Sequence, residues 1–199
     1  MGLGLDFWFD FASTYSYLTA LRIGELAAMR GVSVRWRPFL LGPIFAAQGW
    51  TTSPFNLYPA KGRYMIRDLE RLAADRGLAF RMPDPFPQHS VRAARVALAA
   101  AESNAIAEVT RAIFADAFGA GAGISEKANL LRILDEHRLD SARLLERSES
   151  PFIKDGLRHQ TADAQSRGLF GAPTFVTADG EIFWGDDRLE QALERAAKL

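Results

Sequence analysis

The sequence predicts an α/β domain built on a central sheet. Three observations predict it: an apolar run of strand length at the amino terminus, an alternating run soon after it, and two short apolar runs around a tight turn near the carboxyl terminus. Amphipathic helical patterns fill the stretches between them. The chain has 199 residues, the size of one domain or of one domain carrying an insertion, and such a chain buries about 70% of its unfolded surface. Its 24 Lys and Arg balance 24 Asp and Glu, which argues against a polybasic binder of nucleic acid or membrane, and 48% apolar residues argue against disorder. It has no cysteine, so disulfides, thiolate nucleophiles and thiolate metal ligands are all removed. Any thiol chemistry must come from a ligand.

Residues 1–10 lack a basic segment, and Asp6 and Asp10 bracket Phe7, Trp8 and Phe9, so no signal peptide is expected; Asp6 also stands where a myristoylation start needs Ser or Thr. Residues 3–9 read as a strand buried on both faces. Residues 15–30 carry Leu18, Leu21, Leu26 and Met29 at helical spacing and stop at Gly31. Residues 32–38 alternate, with Val32, Val34 and Trp36 on one face and Ser33, Arg35 and Arg37 on the other, completing a βαβ unit with a right-handed crossover. The uncharged run 38–60 is long enough to span a bilayer. Its Pro38, Pro43, Pro54, Pro59, Gln48 and Asn56 make it a Pro-rich loop instead, and a soluble, cytoplasmic protein is expected.

Residues 61–76, 90–103, 105–118, 125–138 and 142–147 read as helices, separated by Gly77, the proline run 83–87, the glycine cluster 119–123 and residues 139–141. A further helix spans 151–168; short strands at 174–176 and 181–184 flank Asp179-Gly180, a strong hairpin signal, and a last helix runs to 198. The layout is βαβ, helical insertion, αββα. That is the thioredoxin arrangement, with a core at 1–45 and 151–199 and a helical insertion at 46–150, although periodicity alone does not choose it among α/β sheets.

Several residues invite two readings. Ser13 ends the loop after the first strand, where a hydroxyl caps free helix N–H groups; the same place lets it hydrogen-bond a bound thiolate. Pro173 opens a strand in Gly171-Ala172-Pro173-Thr174; trans is the default for Ala-Pro, and a cis bond would turn the Ala172 N–H and C=O toward a ligand. Asp187, with Glu190 three residues on, resembles a capping box, and Asp186 or Asp187 is also placed to receive a ligand ammonium. Lys61 is a cation at a helix start, on the unfavourable side of the dipole, solvated or receiving a ligand carboxylate after the Asn56 loop. His89, His137 and His159 share no metal-ligand spacing; His89 enters a helix after Pro87-Gln88, at a surface or a pocket wall.

Five ordered motifs together resemble one family: Asp10-Phe11-Ala12-Ser13-Thr14-Tyr15-Ser16-Tyr17, Lys61-Gly62-Arg63-Tyr64-Met65 with Arg67-Asp68-Leu69, Pro85-Phe86-Pro87-Gln88, Gly171-Ala172-Pro173-Thr174-Phe175, and Phe183-Trp184-Gly185-Asp186-Asp187-Arg188-Leu189. It is the 2-hydroxychromene-2-carboxylate isomerase family, grouped with kappa-class glutathione transferases in the DsbA-like branch of the thioredoxin fold. The resemblance implies glutathione as cofactor, Ser13 as the active serine and Pro173 as the cis-proline. It further implies that Asn56 and Lys61 hold one end of glutathione, that Ala172 pairs with its cysteinyl backbone, and that Asp186 with Asp187 holds the γ-glutamyl end. Thr14 departs from the family's usual proline, and Asp186 stands where relatives often have Ser or Asn. The implied activity is isomerisation of 2-hydroxychromene-2-carboxylate-type aromatic substrates to trans-o-hydroxybenzylidenepyruvate-type products in aromatic catabolism, by a homodimer. A glutathione transferase or peroxidase on the same site and a noncatalytic glutathione-binding module are the alternatives; a dithiol oxidoreductase is excluded by the absence of cysteine.

Overall fold

The computed structural model describes residues 4–199; Leu3, expected to open the first strand, lies outside the described residues. Strand β1 (Gly4–Phe9) is buried from Leu5 onward and pairs in parallel with β2 (Ser33–Pro38) on one side. On its other side it pairs antiparallel with β3 (Thr174–Thr177), which pairs in turn with β4 (Ile182–Trp184), giving the order β2-β1-β3-β4. This is the sheet of the expected thioredoxin arrangement. Side-chain alternation along β1 sorts the molecule into two cores. Leu5, Phe7 and Phe9 enter the large one, where Phe7 meets Trp36 and Phe175 with ring centroids 5.1 and 5.8 Å away. Trp8 enters a smaller one with Phe39, Ile44, Leu169 and Val176. Asp6, on that second side, is buried and pairs with Arg35 at 2.6 Å. The β3–β4 turn closes at Gly180, whose φ of +86° is open to glycine at little cost.

The helix expected over 15–30 is two helices, α1 (Thr14–Ala20) and α2 (Ile23–Ala28). The break falls at Arg22, whose φ of −124° leaves the helical region while its guanidinium reaches across to Asp186 and Glu190. Met29, placed on the apolar stripe by spacing, is 74% exposed: it is the C-cap of α2, whose buried residues are Ile23 and Ala27. The run 38–60 also departs from a loop. It contains α3 (Leu41–Ala47) and α4 (Pro54–Leu57), and α5 (Pro59–Asp75) begins at Pro59. Pro43, Pro54 and Pro59 each fall in a first helical turn, where a missing N–H leaves no intrahelical bond unmade.

The remaining helices are α6 (Val91–Ala100), α7 (Ile106–Phe114), α8 (Lys127–Glu136), α9 (Ser141–Ser148), α10 (Pro151–Ser166) and α11 (Leu189–Ala196). The helix expected over 105–118 passes into a π-helical turn at 115–120, and a 3₁₀ turn, Asp186–Arg188, precedes α11. Val96 from α6, Ile113 and Phe114 from α7 and Leu130 from α8 share the large core with β1. Among the described residues, no helix is long and apolar enough to cross a membrane.

Candidate active site

Ser13 is the N-cap of α1: in extended backbone, its hydroxyl oxygen accepts from the Ser16 N–H at 3.2 Å. The same hydroxyl donates to the carbonyl of Ala172, 159 residues away, at 2.9 Å. That hydrogen bond joins the Ser13 loop to the Ala172-Pro173 loop, whose peptide bond is cis. The Ala172 N–H donates to no group among the described residues. Thr14 is accommodated where the family has proline: it starts the helix, and its buried hydroxyl lies 3.6 Å from the Met65 sulfur.

Beside this junction opens a cleft of about 830 Å³, lined by Ser13, Thr14, Tyr15 and Ala172 on one side and by Phe45, Trp50, Phe55, Phe86 and His89 on others. Aromatic walls with a few converging polar groups suit a flat apolar ligand. Asp10, at the cleft floor, accepts from the Ala12 N–H at 2.9 Å and the Leu41 N–H at 2.7 Å, so one carboxyl group ties the Ser13 turn to the start of α3. Burial raises its pKa above the ordinary carboxylate value of 3.8, against those two N–H bonds, the Ser90 side chain and the nearby His89. The Tyr15 phenol donates to Asp68 at 2.9 Å; burial first, then that bond, push its pKa up, and it stays a donor. Phe170 and Trp184 form an edge-to-face pair, 4.9 Å between centroids, beside Gly171. A Cβ on Gly171 would overlap the Trp184 indole, so glycine lets that ring cover the loop.

Lys61 lines the cleft from the first turn of α5, exposed, with no carboxylate in ion-pair range among the described residues. Gly62 sets its approach: a Cβ there would lie 2.6 Å from the Phe55 carbonyl, so only glycine lets α4 and α5 pack this closely. The structure does not bring the other expected residues to the cleft wall. Asn56 is exposed, and its amide donates to Thr52 at 3.1 Å; its neighbour Phe55 is the cleft residue. Asp186 is 3% exposed, with its carboxylate shared by Arg76 at 2.7 Å, Arg22 at 3.3 Å and the Thr19 hydroxyl at 2.9 Å. It is an internal counterion, not a free receiver. Asp187 is exposed, pairs with Arg188 at 2.9 Å, and does not line the cleft. Sequence reading passed over Arg22 and Arg76, which hold Asp186, and over Asp10; the one signal was an acidic residue closing an apolar run.

A thioredoxin sheet interrupted by helices, with a serine N-cap facing a cis-proline loop, defines a DsbA-like thioredoxin domain, and the model of that domain family matches residues 4–197. Within it, the chain belongs to the 2-hydroxychromene-2-carboxylate isomerase family. The protein of that name from Sphingobium xenophagum is 32% identical over 94% of each chain. Glutathione S-transferase kappa 1 of Rattus norvegicus is 26% identical, covering 94% of this chain and 87% of its own. A solved structure of a 2-hydroxychromene-2-carboxylate isomerase superposes with a TM-score of 0.86 at 26% identity, covering 98% of this chain and 96% of the other.

Proposed function

We propose that the protein is a glutathione-dependent isomerase of 2-hydroxychromene-2-carboxylate-type substrates in aromatic catabolism. The observation that carries this reading is the Ser13 hydroxyl, held at 2.9 Å from the Ala172 carbonyl at the edge of an aromatic cleft. When bound, glutathione supplies a sulfur nucleophile whose reversible addition to a conjugated double bond lets that bond turn.

The residues of this cleft fit such a ligand. Lys61, without an ion-pair partner among the described residues, receives a carboxylate, with Asn56 on the adjoining turn. Ala172, ahead of Pro173, pairs with the cysteinyl backbone through its unpartnered N–H, and its carbonyl accepts the ligand N–H in place of the Ser13 hydroxyl. Rotation about one side-chain bond then turns Ser13 O–H toward the sulfur, where it stabilises the thiolate and lowers the thiol pKa. Asp187 is the candidate for the ammonium end, since the Asp186 carboxylate is already shared. Phe45, Trp50 and Phe86 exclude water around the aromatic substrate. A cytoplasmic setting, where glutathione is kept reduced, and the homodimer implied by family resemblance complete the reading.

The test is to supply a 2-hydroxychromene-2-carboxylate with and without glutathione and to titrate free thiol at the end. Trans product formed only with glutathione, at constant thiol, is the expected result; thiol consumed in step with substrate would make the protein a transferase instead.

A further inference from the structure

His89 lies on the cleft wall with an unusual mount. Its backbone N–H donates to the Ser125 hydroxyl at 3.2 Å. Its neighbour Gln88, 7% exposed, binds the Pro85 carbonyl at 2.5 Å, the Ile124 N–H at 3.2 Å and the Ser125 hydroxyl at 3.4 Å. On the other side, Ser90 bonds to Asp10, three residues before Ser13, so His89 and Ser13 share one end of the cleft. The backbone is pinned, yet the imidazole is exposed to the cleft and its ring nitrogens have no hydrogen-bond partner among the described residues. The other titratable groups there are committed: Tyr15 to Asp68, Asp10 to two backbone N–H groups, and Tyr64 to a face contact with Arg71 at 5.7 Å, while Lys61 serves a carboxylate in the reading above.

We propose that His89 is the proton-transfer residue for opening the chromene ring, a role that rests on the isomerase reading and adds to it a step that needs no thiol. The substrate is a cyclic hemiketal, whose ring must open before its double bond can turn. The imidazole takes the proton from the hemiketal hydroxyl, the carbon–oxygen double bond forms, and the ring carbon–oxygen bond breaks toward the phenol oxygen. The imidazolium returns the proton to that phenolate. Nothing is oxidised or reduced, and the proton count is unchanged.

The experiment follows ring opening and closing of the chromene by exchange NMR with glutathione withheld. Wild-type protein accelerates the exchange; His89→Gln loses about 100-fold of that acceleration, and added imidazole restores part of it to His89→Ala. Thiolate absorbance of bound glutathione stays unchanged in His89→Gln, which separates proton transfer from damage to the Ser13 end. Exchange in His89→Gln as fast as in wild type, or no acceleration by wild type, overturns the role. Accelerated exchange without trans product on adding glutathione refutes the isomerase reading and leaves the ring-opening role standing.

Discussion

Ser13 caps α1 through its oxygen, the first of the two readings its place in the sequence allowed, and its proton goes to the Ala172 carbonyl; the second reading, a hydrogen bond to a bound thiolate, belongs to the proposed function. One hydroxyl makes both bonds because its oxygen accepts while its proton donates. Its neighbour Asp10 shows the limit of sequence at this scale. A carboxylate after an apolar strand gives no hint that Leu41, 31 residues on, donates to it. Its raised pKa has a testable sign. A folded-state value above 3.8 means that its stabilising contribution is fully present at pH below 3.8 and is lost as pH rises through the folded value. Asn does not titrate, so the difference in melting temperature between wild type and Asp10→Asn shrinks as pH rises from below 3.8. A difference that widens instead would show that the two N–H bonds outweigh burial.

Helices and strands were legible wherever one face meets the core, as in β2 or α6, because burial writes its period into the residues. Prolines misled, since Pro43, Pro54 and Pro59 look like breakers and are first-turn residues. The break between α1 and α2 was illegible for another reason: Arg22 is drawn out by Asp186, 164 residues away. Asp186 joins α1, α2, α5 and the turn before α11, and Asp186→Ala leaves two arginines facing each other. We expect a loss of about 3 kcal/mol in denaturant unfolding, toward the lower end for a broken buried pair because both guanidinium groups reach solvent. The loss appears without glutathione; unchanged stability would restore Asp186 as a ligand residue.

The β3–β4 hairpin docks on α11 through Asp179 and Arg195. The Thr177 hydroxyl first, then the Arg195 guanidinium, hold the Asp179 pKa at about 2, below the ordinary 3.8. A depressed value contributes stability above 3.8 that is lost as pH falls through about 2. Asp179→Asn therefore melts below wild type at neutral pH, by a small margin for an exposed pair, and the two curves converge near pH 2. Parallel curves would contradict the assignment.

At the scale of the whole molecule, the cleft exists because loops from both halves of the sequence meet over the sheet: Ser13 and Tyr15 from one, Ala172 and Trp184 from the other, with helices α3 to α6 closing the remaining walls. The five motifs marked most of these segments, since each holds residues whose geometry only a loop or helix start allows. Which side chains line the wall was less legible: Asn56 and Asp187 are not among the lining residues, while Trp50 and His89, outside the motifs, are. The central claim is that Ser13 activates a thiol brought by glutathione, and the most direct measurement is a glutathione titration followed by thiolate absorbance and heat of binding, in wild type and Ser13→Ala. The account predicts that both proteins bind, that the bound thiol pKa falls in wild type alone, and that turnover in the variant drops by about 100-fold, as when one donor to a developing anion is removed. A thiol pKa that falls equally in both, or no binding by wild type, would contradict it.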